Sequence, residues 1–269
     1  MNLQNKIVVV TGAANGIGAA VARAFSAKGA RLVLSDINLE ALQPFAAELK
    51  AVAVECDATS EADILNLVAQ AEKLGPIDLF FSNAGYAEGE PSHAASASNA
   101  TWEKNWQLHV MAHVYASRAL LPKMIERSEG YLVNVASAAG LLQQISDAAY
   151  SATKHAAVSF AESLAISHAD DGIKVSVVCP QYVNTNILSL TEEERAAELP
   201  GVITPEECAR VIVEGIEQEK FLILPHSEVQ GYVEHRAVER EAWLDGMRRY
   251  RRSLLDGDGN VDFRRIFSK

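Results

Sequence analysis

Short apolar runs recur along the chain, and between them lie stretches in which apolar residues return at helical spacing. The runs are apolar on both faces, as strands buried inside a parallel sheet are. They are KIVVVT from Lys6, RLVLSD from Arg31, AVAVEC from Ala51, IDLFFSN from Ile77, YLVNVA from Tyr131, KVSVVC from Lys174 and FLILP from Phe221. Helices are predicted over residues 19–28, 61–73, 101–127 and 150–168. This alternation predicts an α/β fold with a doubly wound parallel sheet and helices on both faces.

Two segments depart from the alternation. Residues 186–201 follow the sixth strand, and an insertion at the carboxyl end of a strand is well placed to cover a ligand. Residues 227–269 form a charged helical tail in which Trp243, Met247 and Tyr250 recur at helical spacing. We interpret these three as a packing stripe against the body or a neighbouring subunit, and only weakly as a substrate lid. Because no internal repeat is visible, residues 1–269 are interpreted as one domain.

The composition is that of an ordinary globular protein, with 49% hydrophobic and 22% charged residues in a chain of 269. The formal charge of −11 argues against nucleic acid as a partner, because a phosphate backbone binds clusters of Lys and Arg. The three cysteines form no paired motif, no signal peptide is visible, and no apolar run is long enough to span a membrane. We therefore expect a cytoplasmic protein that neither crosses a membrane nor binds nucleic acid.

A glycine-rich turn joins the first strand to the next helix in VVVTGAANGIGAAVARAF, with Gly12, Gly16 and Gly18. Glycine permits a tight turn and lets the backbone approach a pyrophosphate, which then faces the N-terminus of the helix. Asp36 closes the next strand, where a carboxylate accepts hydrogen bonds from ribose hydroxyls and repels a 2′-phosphate. Because no basic residue directly follows it, the pattern favours NAD over NADP. The alternative is that Asp36 only caps a helix at the surface.

Tyr150 and Lys154 in YSATK stand four residues apart on a predicted helix, so their side chains share one face. A phenol is a poor base at neutral pH, but a neighbouring ammonium lowers its pKa, which suits proton exchange with an alcohol. Ser137 ends the fifth strand, at the sheet edge where open α/β folds bind ligands. A Tyr–Lys pair alone is usually a surface feature, but together with this serine and the nucleotide turn it indicates an active site.

Taken together, these motifs resemble those of the short-chain dehydrogenase/reductase family. The matching elements are TGAANGIG, Asp36, CDAT around Asp57, NAG at residues 83–85, Ser137, YSATK and PQYVNT. The resemblance runs from the first strand to about Thr185. It implies a seven-stranded, Rossmann-like sheet and reversible hydride transfer between a nicotinamide and an alcohol or carbonyl carbon. It also implies a homodimer or homotetramer, because the family packs the helices corresponding to residues 101–127 and 150–168 into a four-helix interface.

The same resemblance assigns roles to the matching residues. Tyr150 would exchange a proton with the substrate oxygen, Ser137 would hydrogen-bond that oxygen, and Lys154 would hold the nicotinamide ribose and lower the pKa of the tyrosine. The cofactor would contact Gly12, Asn15, Gly16, Ile17, Gly18, Asp36, Asp57, Ala58, Asn83, Ala84, Gly85, Tyr150, Lys154, Pro180, Val183 and Thr185. The substrate pocket would be formed by Ser137, Leu141, Gln144, Tyr150, Gln181 and Tyr182.

Two positions depart from the family pattern. Gln181 stands where the family usually has glycine, so either the backbone differs there or the side chain reaches toward the substrate. His109, in QLHVMAH, occupies the place of the asparagine that completes a Ser–Tyr–Lys tetrad. A histidine can hydrogen-bond a water and titrates near neutral pH, so one hypothesis is that His109 joins the proton relay and makes the rate more pH-sensitive. The other is a core histidine without a catalytic part.

His109 and His113 lie four residues apart, where two imidazoles could share a metal on one helix face. No cluster of Cys, Asp or Glu supplies further ligands, so no metal site is predicted and His113 is expected to be packed or at the surface. DGDGNVDF from Asp256 is similar to a calcium loop, but Val261 stands where glycine is required. We therefore predict a turn there.

These features predict an NAD-dependent oxidoreductase. Because much of the expected pocket is apolar or small, the substrate is expected to be a medium-sized, hydrophobic secondary alcohol or its ketone. One rival is a non-catalytic, NAD-binding regulatory or scaffold protein, for which His109 is the one favourable feature. A rival within the enzyme class is an NADPH-dependent ketoacyl reductase, which Asp36 and the acidic net charge oppose.

Overall fold

Seven parallel strands form the central sheet in the computed structural model, which describes residues 1–90, 92–188 and 190–267. The strands along the chain are β1 (Ile7–Thr11), β2 (Arg31–Asp36), β3 (Val52–Glu55), β4 (Leu79–Ser82), β5 (Gly130–Val135), β6 (Ile173–Val178), β7 (Tyr182–Val183), β8 (Val202–Ile203) and β9 (Leu222–Ile223). The sheet order is β3-β2-β1-β4-β5-β6-β9, and β7 pairs with β8 in a separate two-stranded sheet. The strand order reverses between β1 and β4, which is where open α/β sheets bind their ligands.

Helices lie in most of the connections between the strands, and two more follow the last strand. They are α1 (Gly16–Ala27), α2 (Leu39–Glu48), α3 (Glu61–Glu72), α4 (Asn99–Trp106), α5 (Ala112–Glu126), α6 (Ala148–His168), α7 (Glu192–Ala196), α8 (Pro205–Glu217), α9 (Val229–Val238) and α10 (Arg240–Ser253). A π-helical turn, Gln107–Met111, joins α4 to α5. Short 3-10 turns lie at Ala138–Gly140, Asn186–Leu188 and Phe263–Phe267. Ser60, Ser98 and Thr204 begin α3, α4 and α8, because each side chain accepts a hydrogen bond from the backbone N–H three residues later.

Helices cover both faces of the sheet. Val8 and Val10 of β1 pack into a cluster with residues of α1 and α8, whereas Ile7 and Val9 pack on the opposite face with residues of α3, α5 and α6. All residues of β1 are buried, so the strand has no reason to alternate apolar with polar positions. The predicted doubly wound, seven-stranded α/β fold is therefore confirmed.

The main differences from the sequence predictions lie near the edge of the sheet that carries the site. The helix predicted over residues 101–127 begins at Asn99 and contains the π-helical turn. Within residues 186–201 the chain forms a 3-10 turn and α7, while residue 189 lies outside the described residues. The β7–β8 pair was not predicted, because strands of two residues have no detectable period.

The tail contains the helices α9 and α10. The calcium-like stretch is a turn closed by an antiparallel bridge between Leu255 and Val261. Trp243 lies under the Arg236 guanidinium, 5.3 Å from its central carbon to the ring centroid, whereas Tyr250 is 36% exposed. Residues 268 and 269 lie outside the described residues. Across the described residues, we find no helix with the length and apolar character needed to cross a membrane.

Replacing Phe81 with Ala is expected to lower the free energy of unfolding by about 3–5 kcal/mol. Phe81 is fully buried on β4, and its ring centroid lies 5.9 Å from that of Phe25 on α1, so truncation leaves a cavity between sheet and helix. Denaturant titration measures the change. Leu65→Ala is the control, since Leu65 is 53% exposed and its loss should change the free energy by less than about 0.5 kcal/mol. Equal effects of the two substitutions would contradict this packing.

Candidate active site

A cavity of about 540 Å³ lies along the carboxyl edge of the sheet. Its wall contains every residue that the sequence assigned to the cofactor except Gly18. It also contains Ser137, so the residues predicted for catalysis and for cofactor binding meet in one space, apart from His109. This convergence follows from the parallel sheet, whose strands all end at the same edge.

The glycine turn is shaped by close backbone contacts. Gly12 has a φ of +63°, and a Cβ on it would lie 2.9 Å from the Cα of Ala84. A Cβ on Gly18 would lie 2.2 Å from the carbonyl oxygen of Gly12, so Gly18 serves the packing of α1 against the turn rather than the cavity wall. Asn15 precedes α1 without a side-chain cap, which leaves the first backbone N–H groups for an anion. These residues fit the pyrophosphate of a dinucleotide.

Thr11 and Asn83 hold the NAG segment against this turn. The Thr11 hydroxyl oxygen accepts hydrogen bonds from the backbone N–H groups of Asn83 (2.9 Å) and Ala84 (3.2 Å). The Asn83 side-chain amide donates to the carbonyl oxygens of Thr11 (2.9 Å) and Gly12 (3.1 Å). The asparagine therefore stabilises the turn through its side chain. Thr11 was missed by the sequence analysis, although its place at the end of β1 is the available signal.

Asp36 is held by backbone N–H groups from two segments of the chain. One carboxylate oxygen accepts from the N–H of Ala14 and the other from the N–H of Asn38, both at 3.0 Å. The cap of α2 is Asn38, whose side chain accepts from the N–H of Ala41. Asp36 is thus not the helix cap considered as the alternative, and its carboxylate lines the cavity.

Ser137, Tyr150 and Lys154 come together from β5 and α6. The Ser137 hydroxyl accepts from the N–H of Ala139 at 3.1 Å and shares a hydrogen bond with the Tyr150 side chain. Lys154 lies one helical turn after Tyr150 and is 3% exposed. Its Nζ donates to the carbonyl oxygen of Val135 at 3.0 Å and lies 5.6 Å from the centroid of the Tyr150 ring.

Burial sets the protonation of this pair. It raises the pKa of Tyr150 to about 12, outweighing the hydrogen bond from Ser137 that favours the phenolate. It lowers the pKa of Lys154 to about 8, because the ammonium loses its water. The expectation that Lys154 would depress the pKa of Tyr150 is thus not met by the chain alone, since desolvation dominates.

His109 lies in the π-helical turn and is fully buried beside α6, the helix that carries Tyr150 and Lys154. Its Nε2 accepts from the N–H of Tyr86 at 3.4 Å, so the other nitrogen, Nδ1, carries the proton and donates to the Thr153 hydroxyl at 3.1 Å. Its ring meets that of Tyr150 edge-on, with centroids 5.2 Å apart. Burial, followed by the charge of Lys154, holds the pKa of His109 well below 6.5, so the imidazole is neutral.

His113 is packed in the core and does not face the cavity. Its Nδ1 lies 2.8 Å from the hydroxyl of Ser82 on β4, and burial lowers its pKa to about 3. His109 and His113 therefore engage different elements, α6 and β4. Among the described residues, no three His, Cys, Asp or Glu side chains cluster in a way that could hold a metal ion.

Only some of the residues predicted for the substrate pocket line this cavity. Ser137, Tyr150 and Gln181 line it, whereas Leu141, Gln144 and Tyr182 do not. The latter groups are engaged elsewhere, because the Tyr182 hydroxyl donates to Gln144 Oε1 at 3.2 Å and Arg236 donates to the carbonyl oxygen of Leu141 at 2.7 Å. The tail thereby contacts the segment that follows Ser137.

Other lining residues were missed by the sequence analysis. Tyr86, Lys104 and Leu108 line the cavity between β4 and the π-helical turn. The Lys104 Nζ lies 4.1 Å from the centroid of the Tyr86 ring. Tyr86 lies in residues 83–90, which contain no helix or strand, so periodicity carried no signal for where its side chain points. Lys104 and Leu108 lie on α4 and the π-helical turn, within the helix predicted over residues 101–127, but no local motif marked them as lining residues.

Comparisons with known proteins agree with this geometry. The short chain dehydrogenase family matches residues 6–196. Meso-2,3-butanediol dehydrogenase of Serratia marcescens is 35% identical over 232 residues, which cover 79% of this chain and 87% of that protein. The 1-deoxy-11-beta-hydroxypentalenate dehydrogenase of Streptomyces exfoliatus is 32% identical, over 86% of each chain. A short chain dehydrogenase/reductase of Burkholderia phymatum, solved in complex with NAD, has a TM-score of 0.81 and 27% identity, over 90% of this chain and 96% of that chain.

The family match and the similarity to these relatives extend over most of the chain. They include the glycine turn, Ser137, Tyr150 and Lys154. The chain belongs to the short chain dehydrogenase family, whose members are oxidoreductases that act on CH–OH groups.

Proposed function

We propose that the protein is an NAD-dependent oxidoreductase that interconverts a medium-sized, hydrophobic secondary alcohol and its ketone. The observation that carries this proposal is the meeting of Ser137, Tyr150 and Lys154 in a cavity that also contains the glycine turn and Asp36. Each of these groups has a chemical task in such a reaction, and each is held in place by contacts within the chain.

In the oxidation, the Ser137 hydroxyl orients the substrate oxygen and Tyr150 takes up its proton. In the reduction, the same phenol donates the proton, a task for which its raised pKa keeps it in the acid form. Lys154, fixed by the Val135 carbonyl, would hold the ribose next to the nicotinamide. A nicotinamide bound in the cavity would exchange a hydride with the carbinol carbon, and the positive charge of its oxidised ring would favour the phenolate.

Two features support NAD over NADP. The Asp36 carboxylate faces the part of the cavity next to the glycine turn, and it would repel a 2′-phosphate. Ile37 follows it and also lines the cavity, so the position next to the carboxylate carries no cation for a phosphate. The Burkholderia phymatum relative was solved with NAD, which agrees with this preference.

The lining of the catalytic end supports an apolar substrate. Leu108 from the π-helical turn and Ile187 and Leu188 from the start of residues 186–201 are apolar, and Tyr86 adds an aromatic ring. The two relatives described above are both named for the dehydrogenation of a hydroxylated compound, which agrees with an alcohol as substrate.

We also propose a homodimer or homotetramer, because large apolar side chains are exposed on two helices. Trp106 on α4 and Ile166 on α6 are 45% and 83% exposed, on the two helices that resemble the interface helices of the family. The cysteines Cys56, Cys179 and Cys208 are free and buried, which supports a reducing compartment such as the cytoplasm.

Tyr150→Phe should lower NADH formation by about 10²–10⁴-fold, because the variant cannot accept the substrate proton. The measurement is turnover with a panel of hydrophobic secondary alcohols, supplying NAD or NADP to the wild-type protein and the variant. Cofactor binding serves as the control and should be retained. A wild-type protein that binds NAD tightly but turns over no alcohol would instead support the non-catalytic reading.

Asp36→Asn should raise the ratio of kcat/KM with NADP to that with NAD by about tenfold or more, because it removes the charge that repels the 2′-phosphate. Asparagine keeps a side-chain oxygen for the backbone N–H groups that Asp36 now binds. Steady-state kinetics with each cofactor give the ratio. An unchanged ratio would mean that Asp36 does not select the cofactor.

His109→Asn should leave the shape of the pH–rate profile unchanged from about pH 6.5 to pH 9, because the wild-type imidazole is already neutral there. The group protonates only below that window, since burial disfavours its charged form. The profile of kcat for both proteins gives the answer. A limb near neutral pH that is present in the wild type and lost in the variant would restore the hypothesis that His109 titrates in the proton relay.

A further inference from the structure

Residues 186–201, which we call the covering segment, are joined at their two ends by a short pair of strands, which we call the clasp. We define the clasp as the parallel pairing of β7 with β8, which joins Tyr182 to Val202 and Val183 to Ile203. It is extended by the N–H of Asn184, which donates to the carbonyl oxygen of Ile203 at 2.9 Å. Between the two strands the chain makes the excursion that contains residues 186–201. The first turn of this excursion places Ile187 and Leu188 on the cavity wall.

His226 bonds to the backbone on the β7 side of the clasp. It follows β9, is 3% exposed and reaches the clasp across 45 positions of sequence. Its Nδ1 accepts from the N–H of Gln181 at 3.1 Å. Its Nε2 must then carry the proton and donates to the carbonyl oxygen of Tyr182, also at 3.1 Å. Gly201, the residue before β8, lies close enough for its backbone to hydrogen-bond the same imidazole.

These bonds matter because the clasp has few others. A strand pair of two residues each is marginal on its own, and β7 follows Pro180, which has no N–H to contribute. The imidazole satisfies the N–H of Gln181 and the carbonyl oxygen of Tyr182 in a partly buried place, where leaving these backbone groups unpaired would be costly.

The same backbone reaches both halves of the site. The carbonyl oxygen of Pro180 accepts a hydrogen bond from the N–H of Ala138 (2.8 Å) and lies 3.4 Å from the Ser137 hydroxyl oxygen. Gln181, Val183 and Thr185 line the cavity. Tyr150 and Lys154, by contrast, are held by α6 and β5. A change at His226 therefore acts on the cavity wall at Gln181 and Val183 more than on Tyr150 and Lys154.

We propose that His226 is a positioning residue that fixes the Gln181–Val183 wall and the clasp at the base of the covering segment, and that it thereby controls binding of the alcohol. This inference deepens the proposed function and rests on it for its kinetic part. The structural part, a local stabilisation of residues 181–203, holds for the free protein whatever it catalyses.

The first test is hydrogen exchange measured by mass spectrometry on the free protein. His226→Leu removes both hydrogen bonds and should increase deuterium uptake in peptides covering residues 181–203, with the central strands unchanged. His226→Gln offers an acceptor and a donor in one side chain and should exchange like the wild type. His168→Leu is the control, since His168 pairs with Asp171 at the far end of α6, roughly 27 Å along the helix from Tyr150. If the leucine variant does not fold, His226→Asn, with its shorter reach, takes its place.

The second test is kinetic and uses the alcohol that the wild-type protein oxidises best. His226→Leu should raise KM for the alcohol about tenfold while kcat changes less than about twofold, and His226→Gln should recover most of the loss. Uptake in residues 181–203 that stays at the wild-type level, or that rises equally over the whole molecule, would overturn the proposal. So would a fall in kcat with KM unchanged. Absence of turnover in the wild type would overturn the proposed function alone, because the exchange measurement does not depend on it.

Discussion

Burial of one parallel sheet on both of its faces is the constraint on which the rest of this molecule depends. A strand such as β1, with every residue buried, cannot carry polar side chains in its interior without partners, so the polar groups of the site lie where strands end. Because the strands are parallel, these ends meet at one edge. Thr11, Asp36, Asn83 and Ser137 are brought together in this way, and the glycine turn completes the edge because it lets the backbone pack closely there.

The same burial governs the chemistry of the site. Tyr150, Lys154 and His109 are all shifted toward their neutral forms, which means a raised pKa for the phenol and lowered pKa values for the ammonium and the imidazole. A neighbouring cation is the usual reason to expect an acidic tyrosine, but desolvation is the larger effect in this chain. The residues of the protein by themselves therefore keep Tyr150 protonated, ready to donate to a ketone oxygen.

The two departures from the family pattern have different structural settings. His109 lies in a π-helical turn between α4 and α5, and its ring is held between Tyr86 and Thr153 while it contacts Tyr150. At the other position, Gln181 stands where the family usually has glycine, and its backbone N–H is bound by His226. A neutral histidine is therefore present at each place, His109 itself at the first and His226 beside Gln181 at the second. Both ring nitrogens of each histidine make a hydrogen bond within the chain.

The sequence by itself determined the fold and the centre of the site. The apolar runs define strands within a few residues, and Gly12, Asp36, Ser137 and Tyr150 could be placed because each belongs to a local motif at the end of a strand or the start of a helix. Protonation and the remaining walls were decided only by the tertiary structure. Tyr86 comes from an irregular stretch, Lys104 comes from α4, and His226 bonds to the backbone of Gln181 from 45 residues away. The physical reason is that side-chain period and turn chemistry act over a few neighbouring residues, whereas desolvation and the partners of buried polar groups depend on which distant segments pack together.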